Sequence, residues 1–66
     1  MSVARITEIS STSTVGFEDA IKQGVDRATV TLRNVTSAWV KEQQVKIADG
    51  RITEYQVNLL ITFVLD

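Results

Sequence analysis

From Glu54 to Leu65 the chain reads EYQVNLLITFVL, with Tyr55, Val57, Leu59, Ile61, Phe63 and Leu65 apolar at every second position. Between them stand Glu54, Gln56, Asn58 and Thr62, interrupted by Leu60 and Val64. A period of two predicts a strand with one well-buried face. The second face is mixed, and a mixed face is where a small protein meets a partner or ligand. Just upstream, Asp49-Gly50 lies between Ile47 and Ile52. Asp-Gly supplies the left-handed conformations of a tight hairpin turn. Ser37 to Ala48 (SAWVKEQQVKIA) is then the first arm, and the run from about Ala38 to Leu65 reads as one long hairpin.

The pattern changes further upstream. Phe17, Ala20, Ile21, Gly24, Val25, Ala28 and Leu32 recur at three- and four-residue spacing. That spacing predicts a helix from Phe17 to about Leu32 with one apolar stripe. Glu18 and Asp19 fall in its first turn and Arg33 near its end, as the helix dipole favours. Glu18 and Lys22 are placed to form an ion pair. Gly24 costs a mid-helix position up to about 1 kcal/mol against alanine, and on the apolar stripe it allows close approach of the sheet. Asn34 suits the helix exit because it tolerates left-handed backbone. Val3 to Ile9 (VARITEI) predicts a first strand. Ser10 to Thr14 reads as a polar connection whose hydroxyls accept hydrogen bonds from the free N–H groups at the helix start.

With Asp49 and Gly50 as the two turn residues and no bulge, Ala48 faces Arg51, Val40 faces Leu59 and Ala38 faces Ile61. On the other side Trp39 faces Leu60, Lys41 faces Asn58, Gln43 faces Gln56 and Ser37 faces Thr62. Glu42 and Gln44 then fall on the apolar side, which signals a bulge or an overhang past the helix. The predicted fold is α+β, with order β-α-β-β: a three-stranded antiparallel sheet packed on one helix. One helix covers one face. Trp39, Leu60 and Val64 are left as an exposed apolar patch, which predicts a self-assembled oligomer of closed symmetry.

Composition reinforces that expectation. The chain has 66 residues, making a single domain, 1–66, with no Cys and no His. A domain of this size hides only about 60 % of its unfolded surface. Disulfides are excluded and a structural zinc site is implausible, which leaves self-association as the support. A net charge of -1 argues against non-specific nucleic-acid binding. The start, MSVARI, has no apolar signal-peptide core, and the longest apolar run, Leu59 to Ile61, falls far short of a membrane span. The expected location is the cytoplasm. Without His there is no Ser-His-Asp triad, and no nucleophile–base pair or metal cluster is visible, so no catalytic residue is assigned and an enzyme is not expected.

The order β-α-β-β, the Thr12-Ser13 loop, the helix start Phe17-Glu18-Asp19-Ala20 and the strand Ala38-Trp39-Val40-Lys41-Glu42-Gln43 together resemble the dodecins. So does Glu54-Tyr55-Gln56-Val57 leading to Thr62-Phe63-Val64-Leu65. The resemblance spans essentially the whole chain. It implies a small flavin-binding protein that assembles into a hollow dodecameric shell of tetrahedral symmetry. It also implies flavins held as stacked pairs between tryptophans at subunit contacts, for storage and quenching of riboflavin or FMN rather than turnover. The family's flavin-binding glutamine corresponds to Gln56. Its stacking tryptophan falls at Ser37, a departure, and the Gly usual before Thr-Ser is Ser11 here. Trp39 lies two residues beyond Ser37, on the same strand face and about 6.6 Å away.

The candidate cofactor-binding residues are therefore Gln56, Trp39, Ser37 and Gln43. Trp39 reads either as a displaced stacking platform or as an interface anchor. Gln56 reads either as the group that meets the donor and acceptor edge of a flavin or as a cross-strand amide partner of Gln43. The resemblance also includes members without the stacking tryptophan described as calcium-binding. The alternative function is thus a flavin-free shell, structural or calcium-binding. Asp19, Asp26, Asp49 and Glu54 read as solvated surface and lack EF-hand spacing, so a calcium site would have to form between subunits.

Overall fold

The computed structural model describes residues 2–65 and contains β1 (Val3–Ser13), α1 (Phe17–Thr31), β2 (Val35–Ala48) and β3 (Arg51–Leu65). The sheet is antiparallel with β3 in the centre, β1 on one side and β2 on the other. The most regular alternation in the sequence thus belongs to the strand with neighbours on both edges. Asp49 (φ 53°) and Gly50 (φ 75°) make the predicted left-handed turn, and Ala48 faces Arg51 across it.

β2 begins at Val35 rather than Ser37, and two further predicted boundaries move. β1 continues through the hydroxyl run to Ser13, so residues 10–13 are strand rather than connection. Hydroxyl residues on an edge strand pair as well as any, and their partners on β3 run from Asn58 to Tyr55. Only Ser13 serves the helix entry. Its buried hydroxyl donates to Asp19 Oδ2 (2.6 Å) and accepts from the Val15 N–H (2.9 Å). The helix N-cap itself is Gly16, without a side-chain cap. At the other end α1 stops at Thr31, which leaves Arg33 outside the last turn. Asn34 takes the left-handed conformation (φ 60°), and its backbone carbonyl accepts from the Val64 N–H (3.0 Å) while its Nδ2 donates to the Val64 carbonyl (3.4 Å). Lys22 pairs with Asp26 (3.0 Å) rather than with Glu18. That hydrogen bond and the carboxylate's charge raise the Lys22 pKa.

The core lies between α1 and one face of the sheet. Ala20, Ala28, Val57, Leu59 and Ile61 are buried, ringed by Ile9, Phe17, Ile21, Val25, Leu32, Val35 and Ala38. Phe17 meets Tyr55 edge to face at 5.2 Å. Gly24 earns its place here: a Cβ on it would stand 2.9 Å from Leu59 Cδ1 and 3.2 Å from Ser11 Cβ. The helix therefore lies directly on β1 and β3.

Lengths decide what remains bare. Fifteen helical residues span about 22 Å, whereas the fifteen residues of β3 span about 50 Å. The molecule is 51 Å long and 14 Å thin. So α1 covers less than half the length of one face, and among the described residues no element covers the other. The hairpin overhangs, with Ile47 and Ile52 exposed at its tip.

Candidate functional site

The uncovered face is best described in rows across β2, β3 and β1. Ser37, Thr62 and Ile6 form one row, and Trp39, Leu60 and Glu8 the next. Glu42, Asn58 and Ser10 follow, then Gln44, Gln56 and Thr12. The first two rows mix Ile6, Trp39 and Leu60 with Ser37, Thr62 and Glu8, and the last two are entirely polar. Trp39 is 63 % exposed in the protomer.

This grouping depends on two bulges. Near the turn, Ile47 pairs with Ile52 but Lys46 with Glu54, which leaves Thr53 as an extra residue on β3. Further along, Glu42 pairs with Asn58 but Val40 with Leu59, which leaves Lys41 as an extra residue on β2. The two insertions lie on opposite strands and cancel. The register at Ala48 and at Trp39 is that of a plain hairpin, while the residues between are slipped by one. An unbulged hairpin would aim Glu42 and Gln44 at the helix side and leave Val45 on the open face. The slip carries both to the open face and turns Val45 inward, opposite Tyr55.

Two predicted pairings are corrected by the same geometry. Gln43 does not face Gln56; it pairs with Val57 on the helix side, and Gln44 takes its place. Lys41 does not face Asn58; as the bulged residue it reaches across the sheet to Glu8 Oε1 (3.2 Å). Of the four candidate residues, Ser37, Trp39 and Gln56 share the open face. The row holding Trp39 is four residues along β3 from Gln56, about 13 Å, and the row holding Ser37 is six away. The tryptophan at its shifted position is thus the nearer of the two to the amide.

Gln56 sits in a hydrogen-bonded ladder. Its Nε2 donates to Ser10 Oγ (3.0 Å) and to Asn58 Oδ1 (3.4 Å). Its Oε1 accepts from Gln44 Nε2 (3.1 Å). Asn58 Nδ2 in turn donates to Glu42 Oε1 (3.5 Å). Glu42, Gln43, Gln44, Gln56 and Asn58 line a recess of about 80 Å³. Ser10, Glu42, Gln44 and Asn58 were not among the candidates. The signal that could have found Glu42 and Gln44 was their polarity at positions an unbulged strand assigns to the core.

Chemically, the face offers an indole, two aliphatic residues beside it and a patch of fixed amides. That suits a flat, mostly apolar molecule with a polar edge. A larger cleft of about 710 Å³ runs on the helix side between β1 and α1, opened by the short side chains of Gly24 and Ala28, and none of its lining residues is aromatic. Among the described residues no three carboxylates, histidines or cysteines cluster to hold a metal, and no helix is long and apolar enough to cross a membrane.

A family model described as Dodecin matches residues 3–66. Among solved structures, the dodecin from Streptomyces davaonensis is 37 % identical, over 98 % of this chain and 96 % of its own, with a TM-score of 0.92. A variant of the Thermus thermophilus dodecin is 36 % identical over 100 % and 98 %, with a TM-score of 0.93. A calcium dodecin from Mycobacterium tuberculosis, described as a calcium-chelating antigen with a novel calcium-binding site, is 28 % identical over 97 % and 91 %, with a TM-score of 0.83. No curated protein matches the chain.

Proposed function

The chain belongs to the dodecin family, and on that premise we propose that it binds flavin, riboflavin or FMN, and holds it without turnover. The flavin sits where the open sheet faces of neighbouring copies meet in a hollow dodecameric shell, in the cytoplasm. Gln56 meets the polar edge of the isoalloxazine. Trp39 supplies the stacking surface that Ser37 cannot. Gln44, not Gln43, is the amide beside Gln56.

The observation that carries this reading is the bare face itself. An indole 63 % exposed shares that face with an oriented amide patch, on a protomer too thin to bury either. Flavin rings stack on aromatic faces, and the edge of the ring alternates carbonyl and N–H groups that an amide complements. No group on the face is arranged as a nucleophile with a base, so sequestration is the reading and catalysis is not.

Adding riboflavin or FMN to the purified protein is expected to quench flavin fluorescence as the site fills. Trp39→Ala should weaken binding roughly ten- to a hundredfold, since a ring stacked on an aromatic side chain contributes about 1–3 kcal/mol. Unchanged affinity in that variant would remove Trp39 from the site. A second reading is favoured by one observation, the likeness to the calcium dodecin. In that reading the shell is structural or binds calcium, flavin leaves fluorescence unchanged, and calcium raises the melting temperature.

A further inference from the structure

Glu42 does not touch Gln56, yet the ladder links them. A carboxylate only accepts hydrogen bonds, whereas a primary amide presents a donor at one end and an acceptor at the other. Asn58 beside Glu42 must therefore turn its Nδ2 toward the carboxylate, as it does at 3.5 Å. Its Oδ1 then faces Gln56 and can be met only by Nε2 (3.4 Å). The same NH2 group reaches Ser10 Oγ (3.0 Å), so both its hydrogens are engaged. The Gln56 Oε1 is left to accept from Gln44 (3.1 Å) and keeps a second lone pair. Ser10 accepts from Gln56 and keeps its O–H to donate.

We propose that Glu42 is a positioning residue that sets the direction of the whole amide ladder, so that Gln56 presents an acceptor and Ser10 a donor to whatever covers them. The ligand chemistry that fits is a neutral imide edge: an N–H for Gln56 Oε1 and an adjacent carbonyl for the Ser10 hydroxyl. This rests on the flavin reading above and refines it. The site takes an isoalloxazine whose N3 carries hydrogen and discriminates against one alkylated there. Gln44 closes the ladder, since its Nε2 occupies the other lone pair of Gln56 Oε1. Glu42→Gln removes the directional constraint without removing the side chain. A glutamine there can donate to Asn58, and every amide beyond it is then free to reverse.

Two measurements test this. In the ligand-free protein, neutron diffraction locates the amide deuterons directly. The wild type should show Asn58 Nδ2 toward Glu42 and Gln56 Nε2 toward Ser10, and Glu42→Gln should show Asn58 and Gln56 reversed or mixed. In binding, wild type should prefer riboflavin over 3-methylriboflavin by at least tenfold, the scale of one hydrogen bond lost at a desolvated site, and Glu42→Gln should bring the ratio below about threefold. A wild-type ladder running the other way, or a preference that survives Glu42→Gln, overturns the proposal and leaves flavin binding standing. If the neutron map shows the ladder as described but neither flavin binds, the flavin reading falls and the ladder stands.

Discussion

Gly24→Val is expected to abolish the folded assembly, and Gly24→Ala to weaken it. On intrinsic propensity alone both substitutions should help, because glycine is about 1 kcal/mol worse than alanine inside a helix. Space decides otherwise. The first added carbon already meets Leu59 Cδ1 at 2.9 Å and Ser11 Cβ at 3.2 Å. Leu59 is fully buried, so shifting its Cδ1 disturbs the packing of the core, and Ser11 is held in β1 opposite Val57. Relief requires Leu59 to repack or α1 to lift off the sheet. Overpacking of this kind costs about 1–3 kcal/mol for one carbon, which outweighs the propensity gain. Valine adds two further carbons in the same place. A domain of 66 residues has a total stability of roughly 3–10 kcal/mol, so the valine variant loses most of it. Thermal melts and denaturant titrations at equal protomer concentration measure both effects. Gly24→Ala with Leu59→Val should recover part of the alanine variant's loss, because trimming Leu59 makes room where the new carbon needs it. A Gly24→Ala protein more stable than wild type would show that α1 does not rest on β3 as described.

Much of the fold was legible because one face of β3 and one stripe of α1 carry nearly all the apolar residues that the core uses. The hairpin turn was readable from Asp49-Gly50 alone, and the close helix–sheet approach from Gly24 on the stripe. The uncovered face was readable from lengths and faces: one short helix, one long hairpin, and Trp39 on the side away from the helix. Glu42 and Gln44 on the apolar side signalled a bulge or an overhang, but not where the insertions fall or that two of them compensate. Neither Lys41 nor Thr53 is a glycine or a proline, so no local residue marks the insertion. The slip turns Val45 and Gln43 to the helix side and carries Glu42 and Gln44 to the open face. That slip rearranges the candidate site, exchanging Gln43 for Gln44 and bringing Glu42 and Asn58 into line with Gln56. The extension of β1 to Ser13 was missed for a related reason. Serine and threonine at a helix entry look like caps, and only the presence of β3 alongside makes them strand.

Leu60→Glu is expected to prevent assembly and, with it, folding at micromolar concentration. Leu60 stands in the middle of the open face, between Trp39 on β2 and Glu8 on β1. In the protomer alone a glutamate there has access to water, and like charge against Glu8 is its main penalty, of order 0.2–1 kcal/mol for a cross-strand pair. Lys41, 3.2 Å from Glu8, offsets part of even that. A monomeric protein would therefore tolerate the change. In a closed assembly the face is covered by a sister copy, and symmetry carries the substitution into every equivalent contact. Burying carboxylates without partners costs several kcal/mol per ion, repeated at every equivalent contact. Among the described residues only Val57, Leu59 and Ile61 are large, fully buried side chains, so a protomer left without sister copies is expected to unfold. Sedimentation velocity should show loss of the large species, and circular dichroism loss of the melt. Leu60→Met keeps volume and polarity and should assemble, at a cost below about 1.5 kcal/mol. A Leu60→Glu protein of wild-type mass and melting temperature would mean that water, not a sister copy, lies against this face. The shared flavin site would then have no walls.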